Sequence, residues 1–234
     1  MSDGAAFWAV VPAAGSGLRM GAEVPKQYLL LRGRRVLDHA LAALLDHPAI
    51  RGAVVAVAAD DTRWRSCDHA RDPRVRWVTG GAERCHSVLN ALGELAGEAA
   101  AQDWVMVHDA ARPCLTREDL DRLVERLREH PVGGLLGVPV RDTMKRCADD
   151  GSVVATVDRA GLWHAYTPQM FRLGLLRAAL EAALAAGELV TDEAAAVERV
   201  GLAPRLVEGS FGNIKVTRPQ DLALAEFFLG RREG

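Results

Sequence analysis

Short apolar runs alternate along the chain with longer segments in which apolar residues recur at helical spacing. The apolar runs predict strands at residues 7–11, 53–58, 75–78, 104–108, 135–138 and 214–216. The helical spacing predicts helices at residues 35–45, 84–95, 117–129, 174–186, 192–200 and 220–229. Because the strands are apolar on both faces, the pattern favours an α/β fold whose mostly parallel, twisted, Rossmann-like sheet is flanked by helices. A ligand is then expected beyond the carboxyl ends of the strands.

One segment, residues 143–157, departs from this alternation. Two strand-like runs flank Asp149, Asp150 and Gly151, and an Asp-Gly pair is a strong signal for the tight turn of a hairpin. We therefore expect a single domain over residues 1–234 with a protruding β-hairpin arm inserted at about residues 140–165. A surface hairpin without a function is the alternative.

Composition narrows the class of protein. A length of 234 residues suits one α/β domain with a modest insertion. The 29 basic and 31 acidic side chains leave a formal charge of -2, so neither nucleic acid nor a membrane surface is an expected partner. The four cysteines are widely separated and form no C-x-x-C pair, which favours reduced thiols in the cytoplasm over a disulfide framework or a zinc site. The apolar run at residues 7–12 is too short for a signal peptide.

Small residues follow the first predicted strand in the sequence PAAGSGLRM at residues 12–20. Their backbone N–H groups can approach a polyphosphate closely, and Arg19 and Lys26 flank them as two cations. The dinucleotide fingerprint would need a glycine where Met20 stands, and the Walker loop would need Gly-Lys-Ser/Thr, so both are excluded. The loop therefore indicates an anion site of another kind, or a tight turn with solvated basic residues.

Two further features lie where the predicted sheet would hold a ligand. Asp109 follows the strand at 104–108 and can hold a ribose, Mg²⁺ or substrate hydroxyls, unless it only starts a helix or pairs with Arg112. His108 is interpreted as a packed or orienting residue rather than a metal ligand. The pair Gly80-Gly81 fits a ligand wall or a simple turn.

The loop, together with PKQ at residues 25–27, resembles the signature of the methylerythritol phosphate cytidylyltransferases. Seven more segments are similar to the same family in the same order: GGAER (80–84, followed by Ser87), VHDAARP (107–113), PVRDTMK (139–145), TVDR (156–159), TPQ (167–169), TDE (191–193) and NIKVT (213–217). Two positions depart from some relatives, which have acids where this chain has Ala82 and Gly212. The resemblance spans residues 10–228 and implies an enzyme.

This resemblance implies transfer of a cytidylyl group from CTP to 2-C-methyl-D-erythritol 4-phosphate, with Mg²⁺ or another divalent cation, in isoprenoid precursor biosynthesis. Charge builds up as the acceptor phosphate attacks the α-phosphorus, and fixed cations must offset it. The family marks Arg19 and Lys26 as the residues that stabilise this transition state. The implied nucleotide-binding residues are Pro12, Ala13, Ala14, Gly15, Ser16, Gly17, Gly80, Gly81, Ala82 and Ser87.

The resemblance also implies an acceptor side. Arg159 and Lys215 match positions that hold the acceptor phosphate, although local sequence alone favours ordinary surface ion pairs. The implied substrate contacts are Asp109, Arg112, Thr143, Thr167 and Thr191. Asp109 is also the candidate metal ligand, with Mg²⁺ held mainly by the CTP phosphates. Thr191 also fits a helix N-cap, which is its commoner role.

Family members dimerise by crossing their hairpin arms. A homodimer is therefore expected, with Thr143 and Arg159 serving the neighbouring subunit's pocket. Three rival functions share part of this pattern. A cytidylyltransferase for another polyol phosphate, such as ribitol 5-phosphate, shares the loop and its cations. A non-catalytic nucleotide-binding regulatory module is expected to lack Arg19 or Lys26, and an oxidoreductase is disfavoured by the missing third glycine.

Overall fold

The structure, a computed structural model, describes residues 4–15 and 24–231. Within these residues the strands are β1 (Phe7–Pro12), β2 (Leu30–Leu31), β3 (Arg34–Arg35), β4 (Ile50–Val57), β5 (Val75–Thr79), β6 (Trp104–Val107), β7 (Gly133–Pro139), β8 (Met144–Cys147), β9 (Val153–Val157), β10 (Trp163–Arg172) and β11 (Arg205–Glu208). The helices are α1 (Val36–Leu45), α2 (Arg84–Leu95), α3 (Arg117–Leu127), α4 (Leu173–Ala185), α5 (Glu193–Arg199) and α6 (Pro219–Gly230). None of these helices has the length and apolarity needed to cross a membrane.

Seven strands form one sheet in the order β11-β7-β10-β6-β1-β4-β5. The pairs β1–β4, β1–β6, β4–β5 and β11–β7 are parallel, whereas β10 runs antiparallel to both β6 and β7. The predicted α/β class with a mostly parallel sheet is therefore confirmed. The parallel strands β1, β4 and β6 direct their carboxyl ends to one edge of the sheet.

Alternating side chains of the central strands pack on opposite faces of the sheet. On β1, Ala9 and Val11 join the core that contains α1 and α3, while Trp8 and Val10 join the core that contains α2, α4 and α5. A strand has a side-chain period of two, so a β-strand buried on both sides must be apolar throughout. This packing explains why the run at residues 7–11 showed no polar face.

Most predicted elements are present. The six predicted helices each match an observed helix with ends within two residues, and five of the six predicted strands are confirmed. The predicted strand at 214–216 is wrong, because these residues pair with no strand in the part of the chain that the structure describes. Val216 is instead fully buried against α6, and its N–H donates a single backbone hydrogen bond, 2.8 Å long, to the carbonyl of Ala111.

Two strands of the main sheet were not predicted from the sequence. Strand β10 contains Pro168, which has no backbone donor, and its pairing with β7 is interrupted between Ala165 and Gln169. Strand β11 is a short edge strand with a charged residue at each end. Neither segment carries the uninterrupted apolar run by which the other strands were recognised.

The predicted hairpin is present as β8 and β9, which pair antiparallel with each other and with no other strand of the described residues. Gly151 occupies the turn with a φ of 84°, a conformation that side chains disfavour. Both strands are exposed almost throughout, and Val153 and Val154 are 62% and 63% exposed. The arm thus presents apolar side chains to its surroundings.

Candidate active site

A cavity of about 260 Å³ lies beyond the carboxyl ends of β1 and β6. It is lined by residues 12–15 at the end of β1, by Lys26 and Gln27, by residues 81–84 and Ser87 at the start of α2, by residues 109–111 after β6, and by Lys215. This is the edge of the sheet where the sequence predicts a ligand. Segments that are distant in the sequence therefore meet around one pocket.

Most of the predicted nucleotide-binding residues lie on this cavity, namely Pro12, Ala13, Ala14, Gly15, Gly81, Ala82 and Ser87. Gly80 lies directly behind them. A Cβ atom on Gly80 would come within 2.5 Å of Ala14 Cβ and 2.8 Å of Ser87 Oγ, so the absence of a side chain lets the two loops pack together. The predicted residues Ser16, Gly17 and Arg19 lie outside the described residues.

The entry to the glycine loop is held by Gln27. Its buried Nε2 donates to the carbonyls of Ala13 (2.8 Å) and Gly15 (3.1 Å). The next residue, Tyr28, donates its hydroxyl to Asp61 Oδ2 at 2.6 Å. Because these bonds fix the short 3₁₀ turn Lys26–Tyr28, Lys26 is placed at the wall of the cavity. The sequence signature contained Gln27, but only the structure explains its role.

Ser87 stabilises the second wall of the cavity. Its hydroxyl accepts a hydrogen bond from the Gly81 N–H (3.1 Å) and donates one to the Glu83 carbonyl (3.2 Å). Both hydrogen-bonding directions of this buried hydroxyl are therefore used inside the protein. The backbone of Gly81 and Ala82, which line the cavity, is left to face a ligand.

The carboxylate of Asp109 lies among three cations. Arg84 Nε is 3.1 Å from Oδ1, Lys215 Nζ is 2.9 Å from Oδ2, and Arg112 Nε is 3.6 Å from Oδ2. Burial alone would raise the pKa of Asp109, but Arg84, Lys215 and Arg112 outweigh it and hold the pKa well below the usual range. Asp109 is thus ionised. It both pairs with Arg112 and lines the pocket, so the two alternatives drawn from the sequence hold together.

A chain of hydrogen bonds fixes the backbone behind Asp109. Thr167 Oγ1 accepts from the Asp109 N–H (3.0 Å) and bonds to His108 Nδ1 (3.0 Å), while His108 Nε2 bonds to the Arg112 carbonyl (3.0 Å). A carbonyl only accepts, so Nε2 carries the proton and Nδ1 accepts from the threonine. Complete burial lowers the pKa of His108 to about 4, so this imidazole is neutral at physiological pH. His108 is an orienting residue, and Thr167 lies one layer behind the pocket.

Lys215 belongs to an irregular loop that is tied to the same core. Arg112 Nη1 donates to the Asn213 carbonyl (2.7 Å), and the buried Asn213 Nδ2 donates to the Thr167 carbonyl (2.8 Å). Gly212 lies tightly in this loop, where a Cβ atom would be 3.2 Å from the Phe228 ring. A side chain at this position, such as the acid in some relatives, would require the Phe228 ring to shift, and Lys215 is held beside Asp109 without one.

Two charged residues of the site were missed by sequence reasoning. Arg84 lines the cavity and donates two hydrogen bonds to the fully buried Glu193, from Nη1 to Oε1 at 2.6 Å and from Nη2 to Oε2 at 3.1 Å. Burial raises the pKa of Glu193, and Arg84 opposes that rise. Both residues lie within segments of the family signature, which is the signal that singled them out without assigning a role.

Three predicted substrate contacts lie away from the cavity. Thr143 and Arg159 are exposed at the base of the arm, where Arg159 donates to the Arg141 carbonyl. Thr191 is exposed as well. The reading of Thr191 as a helix N-cap is wrong, because Asp192 caps α5 by accepting from the Ala195 N–H at 2.9 Å. The described subunit alone does not bring these three residues to the pocket.

A metal ion would find few protein ligands here. Among the described residues, no group of three or more His, Cys, Asp and Glu side chains could hold a metal. Two carboxylates line the cavity, Asp109 and Glu83. The Glu83 side chain caps α2, and the oxygens of Asp109, the candidate Mg²⁺ ligand, already contact cations. The residues therefore fit a Mg²⁺ ion that takes most of its ligands from phosphates, as this ion commonly does.

The sheet and its cation-rich pocket define an α/β protein that binds a phosphorylated ligand beyond the carboxyl ends of its strands. Comparison with known families agrees with this class and narrows it. The chain belongs to the family described as IspD, 2-C-methyl-D-erythritol 4-phosphate cytidylyltransferase, whose family model matches residues 7–231.

Individual relatives cover nearly the whole chain. The 2-C-methyl-D-erythritol 4-phosphate cytidylyltransferase of Pseudomonas fluorescens strain Pf0-1 is 57% identical over 218 residues, covering 93% of each chain. That of Pseudomonas putida strain W619 is 58% identical over 229 residues, covering 97% of each chain. The crystal structure of the Francisella tularensis enzyme of the same name superposes with a TM-score of 0.82 at 36% identity, covering 96% of this chain and 100% of the other.

Proposed function

We propose that this protein transfers a cytidylyl group from CTP to 2-C-methyl-D-erythritol 4-phosphate. The products are 4-diphosphocytidyl-2-C-methyl-D-erythritol and pyrophosphate, in the biosynthesis of isoprenoid precursors. The observation that carries this proposal is that the loop at residues 12–15, Lys26, Asp109 and Lys215 line one cavity, since the nucleotide and acceptor sides must meet for transfer to occur.

In the proposed reaction, an oxygen of the acceptor phosphate attacks the α-phosphorus of CTP and forms a new P–O bond. The bond to the β-phosphate breaks, and pyrophosphate carries away the electron pair. No general base is needed, because a phosphate monoester is largely ionised near neutral pH. The protein must instead offset negative charge, which is the role of Lys26 and of Arg19, whose place lies outside the described residues.

Lys215 forms the acceptor side of the proposed site, with Arg112 behind it. Lys215 Nζ is 2.9 Å from Asp109 Oδ2, and its side chain is 39% exposed, so it can contact a bound phosphate while it remains paired. Arg112 is buried and fixes the loop that carries Lys215. Asp109 is left to bind acceptor hydroxyls or a metal ion from its ionised state.

We further propose that Mg²⁺ accompanies CTP, with Asp109 as its protein ligand and the phosphates as its others. Bound there, the ion would neutralise phosphate charge. The cytosine would be selected by the backbone of residues 80–82, because a carbonyl acceptor can read the exocyclic amine that distinguishes cytosine from uracil.

The functional unit in this proposal is a homodimer in the cytoplasm. A lone two-stranded hairpin is marginally stable in water, and the exposed Val153 and Val154 are suited to burial against a second subunit. Crossed arms would carry Thr143 and Arg159 to the neighbour's pocket, which accounts for their distance from their own. The four free cysteines fit a compartment in which thiols stay reduced.

A coupled assay of pyrophosphate release tests the function. The purified protein is offered each of the four nucleoside triphosphates with either methylerythritol phosphate or ribitol 5-phosphate. We expect turnover with CTP and methylerythritol phosphate and little with the other combinations. A preference for ribitol 5-phosphate would support the rival cytidylyltransferase, and no pyrophosphate with any pair would support a non-catalytic nucleotide-binding module.

Arg159→Ala tests the acceptor site and the dimer together. We expect weaker use of the acceptor with CTP binding largely preserved, because the guanidinium is assigned to the acceptor phosphate. If Arg159 acts in the neighbour's pocket, mixing this variant with inactive Lys26→Ala restores activity, since half of the mixed dimers' sites are intact. Random exchange of subunits gives about a quarter of wild-type activity.

Subunit exchange is checked by size-exclusion chromatography with differently tagged variants. Exchange without restored activity would place Arg159 in its own subunit's pocket. A monomer of full activity would contradict the crossed-arm dimer, and an equal loss of CTP and acceptor binding in Arg159→Ala would move that side chain to the nucleotide side.

A further inference from the structure

A buried polar network connects the start of α5 to the pocket. Glu193, the first residue of α5, is 0% exposed and uses both carboxylate oxygens to hold the two terminal nitrogens of Arg84. A two-bond pairing of this kind fixes the plane of the guanidinium as well as its position. A buried carboxylate is costly unless it is paired, so burial of Glu193 depends on its contact with Arg84.

The position of Glu193 is itself fixed from strand β10. Gln169 accepts from the Ala194 N–H through Oε1 (2.7 Å) and donates to Asp192 Oδ2 through Nε2 (3.0 Å). Asp192 in turn caps α5 at the Ala195 N–H. Since Gln169 pairs with Val107 on the strand that precedes Asp109, the start of α5 is braced against the same strand that carries the pocket acid.

The same guanidinium also donates towards the pocket. With both terminal nitrogens on Glu193, Arg84 donates Nε to Asp109 Oδ1 at 3.1 Å. The other oxygen of Asp109 is 2.9 Å from Lys215 Nζ. Glu193, Arg84, Asp109 and Lys215 thus form a continuous row of alternating charges that ends at the acceptor side.

We propose that Glu193 is a positioning residue for the acceptor. It sets the orientation of Arg84, Arg84 sets that of the Asp109 carboxylate, and Asp109 holds Lys215 where the acceptor phosphate binds. Glu193 lines no part of the cavity and acts only through this row. The inference rests on the proposed function, because the acceptor side of the pocket is part of that proposal.

The direction in which acceptor use changes when Glu193 is substituted distinguishes a positioning role from a purely electrostatic one. Removing the negative charge of Glu193 makes the pocket more positive, so a purely electrostatic role predicts that both anionic substrates bind as tightly as before or more tightly. A positioning role predicts weaker use of the acceptor, because Arg84 no longer donates from both terminal nitrogens to a carboxylate. CTP, bound mainly by the loop, would be little affected.

Glu193→Gln provides this test, since the amide keeps the shape of the side chain and removes its charge. We expect kcat/KM for the acceptor to fall about 10- to 100-fold, while the Kd for CTP stays near that of the wild type. This is the range found when a residue that orients a metal ligand by a hydrogen bond is removed. Arg84→Lys should show the same split, because one ammonium cannot reproduce the fork. It serves as the second variant if Glu193→Gln fails to fold.

Asp103→Asn is the matched control. Asp103 is also a buried acid, but it precedes β6 at the opposite end of the strand from Asp109, where it accepts from the Ala6 and Ala100 N–H groups. We expect it to lower stability and to leave the ratio of acceptor to CTP parameters unchanged. An unchanged acceptor kcat/KM in Glu193→Gln, or the same loss in Asp103→Asn, would overturn the inference.

Failure of this inference is distinguishable from failure of the proposed function. The wild-type protein is assayed in parallel for pyrophosphate release from CTP with methylerythritol phosphate. If the wild type is inactive, the proposed function fails. If the wild type is active and Glu193→Gln keeps its acceptor kcat/KM, only the positioning role is lost.

Discussion

Lys26→Ala is expected to reduce pyrophosphate release by about 10²- to 10³-fold, the usual cost of removing one fixed donor at a developing charge. The structure places Lys26 on the cavity wall, and Gln27 bonds the adjoining turn to the glycine loop. The ammonium is therefore preorganised for the phosphates, and its loss is not compensated by a neighbour's movement. Steady-state kinetics with saturating CTP and acceptor measure the effect.

Circular dichroism and thermal unfolding of Lys26→Ala should match the wild type, because its side chain is not part of the core. Arg177→Ala is the control: Arg177 is a cation on α4 that pairs with Glu181, four residues on, and does not line the cavity. We expect full activity from it. Normal turnover by Lys26→Ala would remove Lys26 from the catalytic residues.

Asp109→Asn is expected to lower both activity and stability. The substitution leaves Arg84, Arg112 and Lys215 around a neutral amide, and breaking a buried ion pair on one side costs about 3–5 kcal/mol. Because Asp109 also fixes Lys215 and is the candidate Mg²⁺ ligand, we expect turnover to fall by about 10²-fold or more. Urea unfolding and steady-state kinetics measure the two effects separately.

The pH dependence of this stability difference has a defined sign. The pKa of Asp109 is held below its unfolded value of about 3.9, so its stabilising contribution is fully present above that value and is lost as the pH falls towards the folded pKa. The difference in unfolding free energy between wild type and Asp109→Asn should be constant from pH 7 to about pH 5 and shrink below about pH 4. A difference that persists undiminished at low pH would contradict the ion-pair assignment.

The sequence predicted those elements whose own residues determine them. Strand β1 and helix α2 were recognised because their apolar positions follow the strand or helix period. The strand predicted at 214–216 is wrong because Val216 is apolar for a different reason, namely its burial against α6. Strand β10 was missed because Pro168 interrupts it, and its existence depends on pairing with β6 and β7.

The candidate site divides in the same way. Lys26 and Asp109 were found because loop chemistry and a strand end are local signals, and the structure places both on the cavity. Arg84 and Glu193 were not assigned, because their pairing joins positions 109 residues apart and no local pattern marks it. Thr143 and Arg159 stay predictions, since they lie at the base of the arm, away from the cavity of their own subunit, and the role proposed for them depends on an untested dimer.

Convergence of the cations on one phosphorus centre is the central requirement of the proposed reaction. A crystal structure of the protein with CTP and Mg²⁺ tests this most directly. We predict that the triphosphate lies along the loop after β1, with Lys26 Nζ and the Arg19 guanidinium within hydrogen-bonding distance of α- or β-phosphate oxygens and with Lys215 facing the α-phosphorus. A triphosphate bound elsewhere, with Lys26 and Lys215 directed away from it, would contradict the account.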